Sequence, residues 1–243
     1  MMEYRRRIYQ QYASGFQDNG QVFNADAAIR WGQAYKYYLR CWLPKDKGSS
    51  IVDLACGGGK LLYFFKQHNY RNVHGIDISQ QQVQVARQVC AEVSEANVLD
   101  FFQSKANTYD LITGLDIIEH FHKDEVLRFL DGCCAALKTG GRLILQTPNA
   151  ESPWGMMQRY GDFTHEVCFN SKVLSRLLQL SGFGKIEVRE LGPVPWGYSI
   201  KSSLRYIAWQ LIRGGLITWN VVETGDKGAG VFTRNFMISG CKL

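Results

Sequence analysis

The sequence is poor in the features that mark several large protein classes. No apolar run approaches the roughly 18 residues a transmembrane helix needs, so no membrane-spanning helix is expected. The opening MMEYRRRIYQQY is basic but has no apolar core after it, which argues against a secretory signal. The seven cysteines (Cys41, Cys56, Cys90, Cys133, Cys134, Cys168 and Cys241) are odd in number and irregular in spacing, with no C-x-x-C pair. That disfavours both a disulfide framework and a zinc site. A reducing compartment, the cytoplasm, is the expected location. There is no internal repeat and no low-complexity tract. No concentrated Lys/Arg stripe suggests a phosphate track, so nucleic acid is not an expected partner.

What is present fits one α/β domain with decorations. The 243 residues are 46% hydrophobic and 21% charged, enough chain to bury a proper core. The excess of 28 Lys and Arg over 22 Asp and Glu gives a net charge of +6, a mild bias towards acidic substrates or an anionic surface. A helical stretch is predicted over about 26–42, ended by Pro44 and the run Lys-Asp-Lys-Gly-Ser-Ser. Strands are then predicted at 51–55, 72–77, 94–98, 109–114, 141–147, 184–191 and 231–241. Helices are predicted at 59–68, 79–92, 123–137 and 170–181. Strands separated by helices of this length imply parallel β-α-β units. Residues 148–169 and 193–230 interrupt the alternation, and long insertions in a compact domain are usually functional loops or lids. The organisation read from this is a single domain over 1–243, with an N-terminal helical segment (1–45), a core sheet (46–192 and 231–243) and a helical insertion (193–230).

The first strand-to-helix turn is Asp53-Leu54-Ala55-Cys56-Gly57-Gly58-Gly59. Glycines there let backbone approach a ligand, and the following helix N-terminus offers free N–H groups. Gly59-Lys60 is followed by Leu61 and has no glycine five residues earlier, so a P-loop is disfavoured. Leu62 stands where a hydride-transfer G-x-G-x-x-G would need its last glycine. Asp77 ends the second predicted strand, about twenty residues on, where an acid accepts hydrogen bonds from both ribose hydroxyls. Turn and acid together point to an adenosine-type ligand.

On these residues the sequence resembles the class I S-adenosylmethionine-dependent methyltransferase superfamily over about Asp26 to Phe183. VDLACGGG resembles its first motif, with Ala55 in place of the usual first glycine, and HGIDIS resembles the second. YDLITGLDIIEHF and LKTGGRLILQTPN resemble the fourth motif and the turn and strand after it. Beyond Asn149, TPNA, GDFTHEVCFN and LLQLSGF look like bacterial methyltransferases of surface-glycan and related small-molecule pathways. The resemblance implies a doubly wound, Rossmann-like, mostly parallel seven-stranded sheet with an antiparallel last strand, and S-adenosyl-L-methionine as cofactor. Asp53 would orient the glycine turn and reach towards the methionine ammonium; Ala55, Gly57 and Gly59 would border the methionine moiety. Asp77 would bind the ribose and Ile78 pack on the adenine. The third motif's usual acid is replaced by Asn97, so Asn97 and Val98 are the expected adenine contacts, with Asp100 three residues on. Leu115 and Asp116 would line the methionine end, and Arg30 could pair with the cofactor carboxylate, or simply be a surface arginine.

For a hydroxyl acceptor, a general base adds about 10²–10⁴-fold. His120 follows the fourth strand, and His165 lies in the loop Gly161-Asp162-Phe163-Thr164-His165, where Asp162 could orient its imidazole. The plainer readings are that His120 only holds its loop and that His165 caps the next helix. His68, His74 and His122 read as surface residues. A metal-assisted variant on Asp116, Asp162 and His165 is conceivable, but spacing does not demand it and no metal is assigned. Residues 199–213 (SIKSSLRYIAWQLIR) carry Leu204, Ile207, Ala208, Leu211 and Ile212 on one face, and Lys201, Arg205, Trp209 and Arg213 in a second stripe. This predicts core packing or a lid, with peripheral membrane contact as the alternative. The function expected is O-methylation of a small molecule or a sugar or glycan precursor. A quinone-type or other lipid acceptor is the runner-up, and a non-catalytic cofactor-binding homologue the third reading. Oligomeric state is not legible.

Overall fold

The computed structural model describes residues 3–9, 22–196 and 198–243. The polar opening segment falls partly outside them, and what is described there is a short helix, α1 (Glu3–Tyr9). The leading helix α2 (Ala25–Tyr38) is capped by Asn24, whose side chain accepts from the N–H of Ala27. It buries Tyr35, and Leu39 and Trp42 beyond it are buried too.

The strands are β1 (Ser50–Leu54), β2 (Asn72–Asp77), β3 (Val93–Glu95), β4 (Tyr109–Leu115), β5 (Leu137–Pro148), β6 (Phe183–Glu190) and β7 (Asn235–Lys242). They form a seven-stranded sheet in the order β3-β2-β1-β4-β5-β7-β6. The first five run parallel, and β7 pairs antiparallel with both β5 and β6. Near-continuous apolar runs such as Ser50–Leu54, buried at four of five positions, are what a strand covered on both faces requires. The predicted Gly140-Gly141 turn lies inside β5, where the pairing with β4 shifts register between Tyr109 and Leu111. The last strand starts at Asn235 rather than at 231.

Helices α3 (Lys60–Gln67), α4 (Gln80–Ala86), α5 (Val98–Phe101), α6 (Lys123–Ala136) and α8 (Ser171–Leu180) cover the sheet. In α3, Leu61, Leu62, Phe64 and Phe65 are buried, and each such side chain contributes about 1.5–3 kcal/mol. Among the histidines read as surface residues, His122 is instead the N-cap of α6 in a reciprocal capping box with Glu125. His74 is half-buried and packs beside Phe101, ring centroids 5.8 Å apart.

The 148–169 insertion contains α7 (Gly155–Gly161) and is closed at its base by a bridge between Asn149 and Phe169. The second insertion contains α9 (Ile200–Thr224), 25 residues long, begun by Ser199 accepting from the N–H of Ser202 and ended by Gly225 in the left-handed region. The expected packing of its two stripes is reversed. Trp209 donates to Glu190 (3.2 Å) and Arg213 to the Gly230 carbonyl (3.0 Å), so these two members of the second stripe face the domain, while Lys201 and Arg205 are exposed. Ile200, Leu204, Ile207 and Leu211 face solvent, each more than half exposed. Among the described residues, no helix is long and apolar enough to cross a membrane.

Candidate active site

The strand order reverses between β2-β1 and β4-β5, so the turns after β1 and β4 diverge and leave a crevice at the carboxyl ends of the strands. The crevice is a cavity of about 1100 Å³. One wall is the turn after β1. Ala55 (φ 51°) and Gly57 (φ 52°) both hold left-handed backbone and line the cavity. A Cβ built on Gly57 would meet no atom within 4 Å, because that side is open space. Gly59 departs from expectation: it does not line the cavity. At φ 88° it is the N-cap of α3, and a Cβ on it would lie 3.0 Å from the Ala86 Cα. Its role is close packing of α3 against α4.

Asp77, at the end of β2, accepts from the N–H of Gly57 (2.9 Å) with one oxygen and from that of Ser79 (2.8 Å) with the other. Burial pushes its carboxyl up, and these N–H groups partly restore the charge. Ser79, which sequence reasoning missed, lines the cavity, and its hydroxyl is buried without a hydrogen-bond partner. Asp53 takes a hydrogen bond from the Thr113 hydroxyl (2.7 Å), and burial, opposed by that bond, pushes its carboxyl up to about 7. Ile78, Asn97, Val98 and Asp100 line the same cavity. The Asn97 side-chain oxygen caps α5 by accepting from the N–H of Leu99 (2.9 Å), which leaves its amide N–H₂ to face a ligand.

On the β4 side, Leu115 and Asp116 line the cavity. Asp116 holds φ 55° and is fixed by Gln146, whose amide donates to it at 2.7 Å, while Tyr35 donates to Gln146 at 2.6 Å. Burial raises the Asp116 carboxyl and also the Tyr35 hydroxyl. Sequence reasoning missed this chain because its members lie on α2, β4 and β5. Arg30 is exposed and lines not this cavity but an adjoining one of about 610 Å³, which shares Trp31, Tyr35 and Gln158 with it. On α2 it stands three residues after Ala27 and next to Trp31, both of which line the larger cavity.

His120 and His165 come together at the inner end of the cavity, ring centroids 4.9 Å apart at 68°. Two hydrogen bonds hold the 148–169 insertion to this place, from the N–H groups of Glu166 and Val167 to the Glu119 carbonyl. The Nδ1 nitrogen of His165 is held by a group other than the expected Asp162. His165 Nδ1 is held by the Gln158 carbonyl at 2.9 Å, so this nitrogen carries the proton and Nε2 a lone pair. Asp162 instead accepts from the N–H (2.8 Å) and hydroxyl (2.6 Å) of Thr164, and that hydroxyl lies 2.9 Å from His120 Nδ1. Burial, with His165 beside it, pushes the His120 imidazole down to about 4. Glu119 is fully buried, and burial followed by the nearby Asp116 pushes its carboxyl well up. It accepts from Thr147 (3.0 Å) with one oxygen, and its other oxygen has no partner. Helix α1 closes the same edge: Arg5 donates to the His120 carbonyl (2.6 Å) and pairs with Glu125 (2.8 Å).

This fold and cleft define the class of the S-adenosylmethionine-dependent methyltransferases. Such an enzyme from Archaeoglobus fulgidus superimposes with a TM-score of 0.64 over 96% of this chain and 99% of that one, at 16% identity, which is a likeness of fold. Haemonchus contortus phosphoethanolamine N-methyltransferase 2, solved with S-adenosyl-L-methionine, gives 0.63 over 96% of this chain and 60% of that one, at 15% identity. The methyltransferase-domain family matches residues 24–188, and the chain belongs to it. S-Adenosyl-L-methionine is the cofactor of this class. Among curated relatives, the ubiquinone biosynthesis O-methyltransferase of Coxiella burnetii is 30% identical over 109 residues, and that of Vibrio parahaemolyticus 28% over 108. Each match spans 42% of this chain and 45% of the relative, so the chain matches less than half of their length.

Proposed function

We propose that this chain transfers the methyl group of S-adenosylmethionine to a hydroxyl oxygen of a small molecule, a sugar or a glycan precursor. The cavity residues fit the cofactor. Gly57 leaves the space a side chain would fill, Asp77 and the unpartnered Ser79 hydroxyl suit a ribose, and Asp53 suits an ammonium. Ala55, Ile78, Asn97, Val98, Leu115 and Asp116 complete that wall. When bound, the cofactor supplies an electrophilic methyl group on sulfur. The protein's own work is to align the acceptor and exclude water.

The observation that carries the O-methyl reading is the paired imidazoles at the inner end of the cavity. His165 Nε2 is a lone pair held in fixed orientation, suited to take a hydroxyl proton. His120, steadied through Thr164 by Asp162, stays neutral and positions the acceptor oxygen. His165→Ala tests this: turnover on the acceptor should fall by about 10²–10⁴-fold with cofactor affinity retained. Near-normal turnover would remove the base.

A quinone-type lipid acceptor is the second reading. It is supported by the outward stripe of Ile200, Leu204, Ile207 and Leu211, flanked by exposed Lys201 and Arg205, and by the names of the curated relatives. The stripe would seat 199–213 on an anionic lipid surface, bringing the cavity to a membrane-dissolved acceptor. A panel of phenolic, sugar and nucleotide-sugar acceptors, assayed with and without anionic vesicles, separates the two readings.

A further inference from the structure

We propose that Glu119, His120 and His165 form a binding site for one divalent transition-metal ion at the acceptor end of the cavity. One potential ligand atom from each residue lies within 4.8 Å of the others. Each is prepared by a second hydrogen bond. His165 donates from Nδ1 to the Gln158 carbonyl (2.9 Å), which leaves Nε2 as a lone pair. The Thr164 hydroxyl spends its own proton on Asp162 (2.6 Å), so at 2.9 Å from His120 it accepts from Nδ1, which again leaves Nε2 as a lone pair. Glu119 is anchored by the Thr147 hydroxyl (3.0 Å) through one oxygen. Its other oxygen is fully buried and has no partner. A buried carboxyl oxygen without a hydrogen-bond partner is costly, and a cation beside two imidazole lone pairs supplies what it lacks.

Metal-ligating histidines almost always donate their other ring N–H to a carbonyl or a carboxylate-linked group, and both do so here. Of Asp116, Asp162 and His165, the trio conceivable for a cation from the sequence, only His165 takes part. Asp116 is tied to Gln146 and Asp162 to Thr164. Two imidazoles and one carboxylate suit zinc, cobalt or manganese better than magnesium. Bond lengths of about 2.0–2.2 Å draw the three atoms together through small side-chain rotations. His120 and His165 line the cavity, so the ion's remaining positions open onto it. Three protein ligands with open positions are the pattern of a catalytic rather than a structural site.

The site's existence is independent of the methyl-transfer reading, but its purpose rests on it. The ion would hold the acceptor oxygen and acidify its hydroxyl. The O–CH₃ bond then forms as the S–CH₃ bond breaks, the electron pair stays on sulfur, and the hydroxyl proton passes to water at the cavity mouth. In the metal-loaded enzyme the ion thus takes over the work otherwise given to His165 as base.

The test uses the purified full chain, stripped with chelator and titrated with Co²⁺ while visible absorption is recorded, with Zn²⁺ as competitor. One Co²⁺ per chain is expected, displaced by Zn²⁺. Binding should be lost in Glu119→Gln and His165→Ala, and weakened about 10–100-fold in Thr164→Val, which removes no ligand but takes away the hydroxyl linking His120 to Asp162. Each variant is first checked for fold by circular dichroism and for S-adenosylhomocysteine binding. No stoichiometric Co²⁺ binding by protein that binds S-adenosylhomocysteine would overturn the proposal, as would binding unchanged in His165→Ala. Co²⁺ bound as expected without S-adenosylhomocysteine binding would leave the metal site standing and remove the methyl-transfer reading.

Discussion

At the scale of single residues, backbone strain and burial do most of the explaining. Ala55 sits at φ 51°, where the family's usual glycine would be at ease. A left-handed alanine costs about 1–2 kcal/mol, while a new glycine costs about 0.5–1 kcal/mol in chain entropy. Ala55→Gly should therefore leave stability equal or raise it by up to about 1.5 kcal/mol, the reverse of an ordinary Ala→Gly change; the urea midpoint reads this. Asp53 gives a pH dependence. With its carboxyl at about 7 in the ligand-free protein, a cationic cofactor must drive it to ionise below that pH. S-Adenosylmethionine affinity should rise between about pH 6 and 8, by at most about tenfold per unit, and level off above. Asp53→Asn should flatten the curve in calorimetry across that range. The same shift bears on folding. The folded-state pKa is raised, so stability is fully present below the unfolded value near 3.8 and is lost as pH rises through 7.

Single residues also mark what was legible in the sequence. Gly57 and Asp77 were legible because a strand-turn-helix unit ties sequence position directly to the cleft, while Asp53 and Asp116, which also line it, were implied by the family resemblance. Tyr35 and Gln146, 111 residues apart, meet only through the packing of α2 on the sheet, so no local pattern announces them. The hydrogen bonds from Thr164 to Asp162 turned on the course of one loop, which spacing does not encode.

At the scale of elements, the alternation of helical and strand periods matched the sheet and its covering helices but could not assign faces where a helix has two. The outward apolar stripe of α9 is the clearest instance. Its polar-looking stripe was the one with partners, since Trp209 and Arg213 both reach Glu190. Leu204→Asp with Ile207→Asp, both on the exposed stripe (62% and 56% exposed), should leave thermal stability nearly unchanged. The same pair should abolish co-sedimentation with anionic vesicles at low salt. Wild-type protein that ignores such vesicles would remove the lipid-surface reading. The opposite behaviour is expected between α3 and α4. Gly59→Val adds a branched side chain at φ 88°, where even a Cβ would lie 3.0 Å from Ala86. It should destabilise by about 1–3 kcal/mol through overpacking and strain, read by the urea midpoint.

For the whole molecule, the strand order places the glycine turn, the ribose acid and the histidine pair around one cavity although they span more than a hundred residues of chain. The fold was legible because alternating strands and helices leave few right-handed ways to wind a parallel sheet. The acceptor was not, because the candidate wall for it comes from the 148–169 insertion, whose side chains follow no period. The central claim is that this cavity binds an adenosyl cofactor, and calorimetric titration with S-adenosylhomocysteine tests it most directly, with NAD(H) as control. Saturable one-to-one binding is expected, weakened about 10–150-fold in Asp77→Asn by loss of charged hydrogen bonds. No binding of S-adenosylhomocysteine to folded wild-type protein, or equal binding in a folded Asp77→Asn variant, would contradict the account.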